Sequence, residues 1–98
     1  MTNASRIELL NVNHPGKGRP ADAVLYVAMK SAMLAILPDS KPGLTVAQVQ
    51  DAVPALLPQD LYPGGAKAGW WVKAVQLDLE ARGVIQREKV SPLRLYKA

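Results

Sequence analysis

Lys67-Ala68-Gly69-Trp70-Trp71-Val72-Lys73-Ala74-Val75-Gln76-Leu77-Asp78-Leu79-Glu80-Ala81-Arg82, then Gly83, then Val84-Ile85-Gln86-Arg87-Glu88-Lys89, is the stretch on which the fold turns. Its first part carries apolar residues at helical spacing: at about 100° per residue, Ala68, Trp71, Val72, Val75 and Leu79 share one side. Gly83 is a stop, because glycine enters the left-handed conformation that closes a helix without a Cβ penalty. The segment after it is short and β-prone. With Leu93-Arg94-Leu95-Tyr96-Lys97 across the turn Val90-Ser91-Pro92, it predicts a two-stranded basic hairpin. A long helix, a glycine and a hairpin place the chain in the α+β class.

Composition sets the outer bounds. A chain of 98 residues makes one domain with a single core. At 49% apolar and 20% charged residues it has the balance of a globular protein rather than a disordered one. Cysteine is absent, which excludes a disulfide frame, a thiolate metal site and a thiol nucleophile. The polar start Met1-Thr2-Asn3-Ala4-Ser5-Arg6 has no apolar run of the signal-peptide kind behind it, so a cytoplasmic location is expected. The longest apolar-rich run, 23–37, is interrupted by Tyr26, Lys30 and Ser31. It is shorter than the roughly 20 residues of a membrane span.

Upstream of the opening stretch, three segments stand out. Ile7, Leu9, Leu10 and Val12 predict a short strand before the turn signals Asn13-His14-Pro15-Gly16, while Ser5-Arg6-Ile7-Glu8 also fits a helix-capping box. Residues 1–19 are therefore read as an extended N-terminal segment with a linker at Lys17-Gly18-Arg19-Pro20, and 20–98 as the folded domain. A first helix is predicted from Pro20 or Ala21 to Leu37, with Asp22 near its positive end and Pro38 as its stop. Leu25, Ala28, Met29, Ala32 and Ile36 form its inward stripe, with Val27, Leu34 and Leu37 on or near the other side. Thr45 is the expected N-cap of a short helix over 46–53, which Pro54 kinks or restarts. Leu61 and Tyr62 are expected to anchor the long connector 58–65 to the core.

The order of these elements resembles that of winged helix-turn-helix proteins. Leu79-Glu80-Ala81-Arg82-Gly83-Val84-Ile85 looks like their junction from recognition helix to wing, in which the positions of Leu79 and Ile85 are core. The resemblance implies three helices, a small antiparallel sheet with a wing, and DNA as a candidate partner. The chain also resembles a small bacterial one-domain family of unknown function. That likeness runs from Ile7 through Asn11-Val12-Asn13-His14-Pro15-Gly16-Lys17 to Leu61-Tyr62-Pro63-Gly64-Gly65-Ala66-Lys67-Ala68-Gly69-Trp70-Trp71. It implies a stand-alone domain and no particular activity.

Charge placement favours the C-terminal third as a binding face. Residues 1–66 carry five basic and five acidic side chains, whereas residues 67–98 carry seven basic against three acidic. A polyanion is drawn to such a segment, because each neutralised phosphate releases counterions. The plainer reading is a solvated surface or a charged sheet edge. In the wing, Arg87, Lys89 and Arg94 flank the turn and suit phosphate contacts, and Lys67 at the helix start suits another. The outward side of the long helix holds Trp70, Lys73 and Leu77, flanked by Ala74, Glu80 and Ala81. A major-groove reader carries arginine, lysine, asparagine, glutamine or serine there, and this side offers one lysine amid tryptophan, leucine and alanine. The nucleic-acid reading thus rests on Lys67, Trp70, Lys73, Arg87, Lys89 and Arg94, acting on the backbone. The alternative is a protein interface or homodimer built on Val27, Leu34, Trp70 and Leu77.

An enzyme is not expected. His14 is the single histidine and sits in a proline-glycine turn. A triad or a histidine-based metal site has no partners there, so no cofactor or metal is expected. Gly64-Gly65-Ala66-Lys67 lacks the glycine-lysine-hydroxyl spacing of a phosphate-binding loop.

Overall fold

The computed structural model describes residues 6–98 and contains three α-helices and two small antiparallel sheets. Strands β1 (Arg6–Leu9) and β2 (Arg19–Asp22) form one sheet, with Ile7 opposite Ala21 and Leu9 opposite Arg19. The second sheet has β3 (Leu44–Thr45), β4 (Ile85–Glu88) and β5 (Arg94–Lys97) in the order β3-β5-β4. Between them lie α1 (Ala23–Ile36), α2 (Val46–Ala52) and α3 (Ala68–Ala81).

Local chemistry explains the boundaries. The Asp22 side chain accepts from the Val24 and Leu25 amides and starts α1. Thr45 caps α2 in a reciprocal box with Gln48, each side chain bonding the other's backbone N–H. Pro54 converts the end of α2 into a 3₁₀ turn, Val53–Leu56. Gly83, at φ 75°, ends α3, and Val84 N–H returns to the Leu79 carbonyl at 2.9 Å.

The core lies where α1, α2 and α3 meet the three-stranded sheet. Ala68, Trp71, Val72, Val75 and Leu79 are buried along α3, as the helical projection predicts. Ile85 and Leu95 close the core from the sheet, Leu57 from the end of the 3₁₀ turn and Tyr62 from the connector. Tyr62 is anchored as expected, its hydroxyl donating to the Leu25 carbonyl at 2.8 Å.

Two expectations need correction. The N-terminal part is a hairpin rather than an extended segment: the stretch read as a linker supplies β2, and α1 starts at Ala23. Ser5, the proposed cap of an alternative helical turn, lies outside the described residues; Arg6–Leu9 is strand. The inward stripe of α1 is also rotated. Tyr26, Met29, Ala32 and Met33 are buried, whereas Leu25, Ala28 and Ile36 are only half-buried. The cause is polar: Tyr26 turns inward to a carboxylate on α3.

Gly43 precedes β3 at a point of close approach. A Cβ there would overlap the Leu95 carbonyl group and backbone of β5. Gly43→Ala is expected to destabilise the domain by about 1–3 kcal/mol, the range for forcing extra volume into a packed site. Urea denaturation checks this, and an unchanged midpoint would contradict the strand arrangement.

Candidate functional site

Of the five proposed nucleic-acid cations, three make no salt bridge among the described residues and two are held by internal partners. Lys67, Lys73 and Lys89 are exposed. Lys67 occupies the N-cap position of α3 at φ 63° and makes no side-chain cap. Arg87 turns back onto α3, its Nε 2.5 Å from Glu80 Oε1 and its Nη2 3.0 Å from Glu80 Oε2. That carboxylate, nearly buried, also accepts from Gln76 Nε2 at 2.8 Å and holds the Arg87 guanidinium above its usual pKa. Arg94 Nη1 donates to the Gly43 carbonyl at 2.9 Å, tying β5 to the start of β3. Both arginines of the β4–β5 hairpin thus brace the sheet and α3.

The outward side of α3 is partly roofed. After β1 the chain runs over the helix: Val12 N–H donates to the Leu77 carbonyl at 3.3 Å. The strap itself is built of tight turns, His14 N–H bonding the Asn11 carbonyl at 2.9 Å and Lys17 N–H that of His14 at 3.1 Å. Leu77 is consequently half-buried, while Trp70 stays 50% exposed. The Arg19 guanidinium lies 5.5 Å from the Trp70 ring centre, in range of a cation–π contact. Among the proposed interface residues on α1, Val27 is exposed and Leu34 is half-buried against the core.

The strap is fastened by a residue that the sequence reading left unassigned. Asp78, on α3, has no solvent exposure. Its Oδ1 accepts from Leu10 N–H at 2.9 Å, its Oδ2 from the Tyr26 hydroxyl at 2.5 Å, and both oxygens from Arg82 Nε at 3.0 Å. Arg82 then donates from Nη2 to the Glu8 carbonyl at 2.7 Å. One carboxylate therefore joins α3, α1 and the N-terminal hairpin. Burial, then the bond to Asp78, pushes the Tyr26 phenol up to about 12; burial and the nearby Asp22 charge do the same for Tyr62. The signal in the sequence was Arg82 four residues after an aspartate flanked by Leu77 and Leu79.

Between the strap and α3 lies an open cleft of about 350 Å³. Leu9, Leu10, Ala74 and Leu77 give it apolar walls; Asn11, His14, Lys17 and Arg19 give it polar ones. Among the described residues, no carboxylate, hydroxyl or thiol side chain lines it beside His14. No group of three potential metal-ligating side chains occurs among the described residues, and none of their helices is long and apolar enough to cross a membrane.

The sequence profile of one family covers residues 6–95, and so spans the N-terminal hairpin, the strap, all three helices and β4, ending within β5. The chain belongs to a family of unknown function, DUF6958. No curated protein and no solved structure matches it. Membership in DUF6958 brings no assigned activity, so the chemistry of the site has to be read from its own residues.

The two tyrosines give a direct test of the buried arrangement. Their phenols hold their protons up to about pH 12 in the folded protein, against 10 in the unfolded chain. The stabilisation they confer is complete below pH 10 and is lost as pH rises from 10 towards 12. Stability measured by urea denaturation across that window is expected to fall, and to fall less steeply in Tyr26→Phe. Identical slopes for the variant and the parent would contradict the placement of Tyr26.

Proposed function

We propose that this protein is a non-enzymatic winged helix whose third helix has been turned from DNA reading to contact with another protein. The winged-helix reading is supported by element order, α1-β3-α2-α3-β4-β5, and by a sheet in which β5 lies between β3 and β4. Its junction residues also behave as that fold requires: Leu79 and Ile85 are buried, and Gly83 has a positive φ.

The observation that carries the functional reading is the strap over α3. A recognition helix has to present an unobstructed face to a groove about 12 Å wide, with hydrogen-bonding side chains at its centre. Here the centre of that face is Ala74 and Leu77, and residues 9–12 lie against it. The wing loses its two arginines to internal partners. What remains outward is Trp70, a large aromatic side chain of the type that anchors protein interfaces.

A second reading keeps one specific observation in its favour: Lys67, Lys73 and Lys89 are exposed cations on α3 and the wing. They suit contacts to a phosphate backbone that carry no sequence information. A labelled random DNA duplex separates the two. Non-specific binders reach dissociation constants of about 10⁻⁴–10⁻⁶ M at physiological salt. The interaction reading predicts binding weaker than that range. Micromolar binding that falls steeply with salt, and is lost on converting Lys67, Lys73 and Lys89 to alanine, would overturn it in favour of nucleic acid.

A further inference from the structure

We infer that the cleft between the strap and α3 receives a short acidic segment of a partner protein, a carboxylate flanked by apolar side chains. The inference rests on the interaction reading above and names the partner's chemistry.

Charge complementarity is the first argument. Lys17 and Arg19 line the cleft, and no acidic side chain among the described residues lines it. The other arginines close to α3 are neutralised in place: Arg82 by Asp78 and Arg87 by Glu80. Lys17 and Arg19 are exposed, and neither takes part in a salt bridge among the described residues. Arg19 is nonetheless held in place, because its guanidinium lies over the Trp70 ring. A positioned guanidinium beside a flexible ammonium suits a carboxylate better than either does alone.

The walls of the cleft supply the second argument. Leu9, Leu10, Ala74 and Leu77 present apolar surface between the cations. A bare inorganic anion would leave that surface wet, so the occupant carries apolar groups beside its charge.

Dimensions favour a peptide. Trp70 and Leu77 are seven positions apart on one side of α3, about 10 Å along the axis. The strap crosses the helix at Leu77 and bounds the groove there. An extended chain rises about 3.3 Å per residue, so the groove fits about three residues. Trp70, exposed at the far end, gives a flanking side chain a flat surface on which to pack.

The test uses the full chain, ¹⁵N-labelled, with acetyl-Leu-Glu-Leu amide as probe and acetyl-Leu-Gln-Leu amide as its uncharged counterpart. Saturable shifts confined to residues of the strap and to Arg19, Trp70, Ala74 and Leu77 are expected, with a dissociation constant on the order of 1 mM for so small a ligand. The glutamine peptide, and the glutamate peptide against Lys17→Glu or Arg19→Glu, are each expected to bind at least about tenfold more weakly. Unshifted Ile85 and Leu95 signals establish that these surface variants remain folded. Equal binding of the two peptides, absence of saturation, or shifts away from the cleft would each overturn the inference. If both the peptide and a random duplex fail to bind, the inference falls alone. If the duplex shifts the same signals, the interaction reading falls with it.

Discussion

The Asp78 carboxylate sits between two helices and a hairpin, with no exposure to water, and accepts hydrogen bonds from all three. An isolated ionised carboxylate in such a place costs several kcal/mol in lost hydration. Three donors offset that cost: the Leu10 amide is directed at Oδ1, the Tyr26 hydroxyl at Oδ2 and Arg82 Nε at both, and Arg82 brings the opposing charge. An ion pair with its carboxylate buried and its guanidinium at the surface contributes little net stability compared with a well-packed apolar replacement. What it contributes is geometry. The Leu10 amide reaches Asp78 only when β1 lies in one register beside α3, and Tyr26 only when α1 is rotated to face the same carboxylate.

The surface follows from that constraint. With β1 fixed, the chain that leaves it must cross α3, and the strap over Leu77 is the result. The crossing hides the middle of a helix face that is apolar in sequence, yet leaves Trp70 and a cation-lined cleft beside it. Glu80 acts likewise on the other side of the helix. It draws Arg87 inward and fixes the β4–β5 hairpin against α3, so the basic excess of the C-terminal third is less outward than its count implies.

Those parts of the fold that depend on local or apolar signals were legible in the sequence. Thr45 caps α2, Gly83 closes α3, Pro38 follows the end of α1, and the apolar stripe of α3 is the buried one. Each is decided within a few residues of chain. The misread parts are those decided across the molecule. Arg19-Pro20-Ala21-Asp22 has no strand propensity and pairs because Ile7 and Leu9 meet it. Periodicity on α1 selected Leu25 over Tyr26, because apolar counting gives no weight to a hydroxyl with a buried acceptor. Asp78 was invisible for the same reason: a buried acid looks like an exposed one until its partners are placed. The candidate site was hardly legible: of the proposed site residues only Leu77 lines the cleft, His14 carried no signal beyond a turn, and the walls come from residues about sixty positions apart.

Native-state hydrogen exchange at the Leu10 amide tests the central claim most directly. That N–H is bonded to a buried carboxylate and not to a neighbouring strand. If Asp78 fixes the hairpin on α3, Leu10 exchanges only through global opening, with the same denaturant dependence as the Val75 and Leu79 amides, and Asp78→Asn shortens its protection selectively. Exchange of Leu10 at the rate of an open loop, independent of denaturant and unchanged by Asp78→Asn, would contradict it.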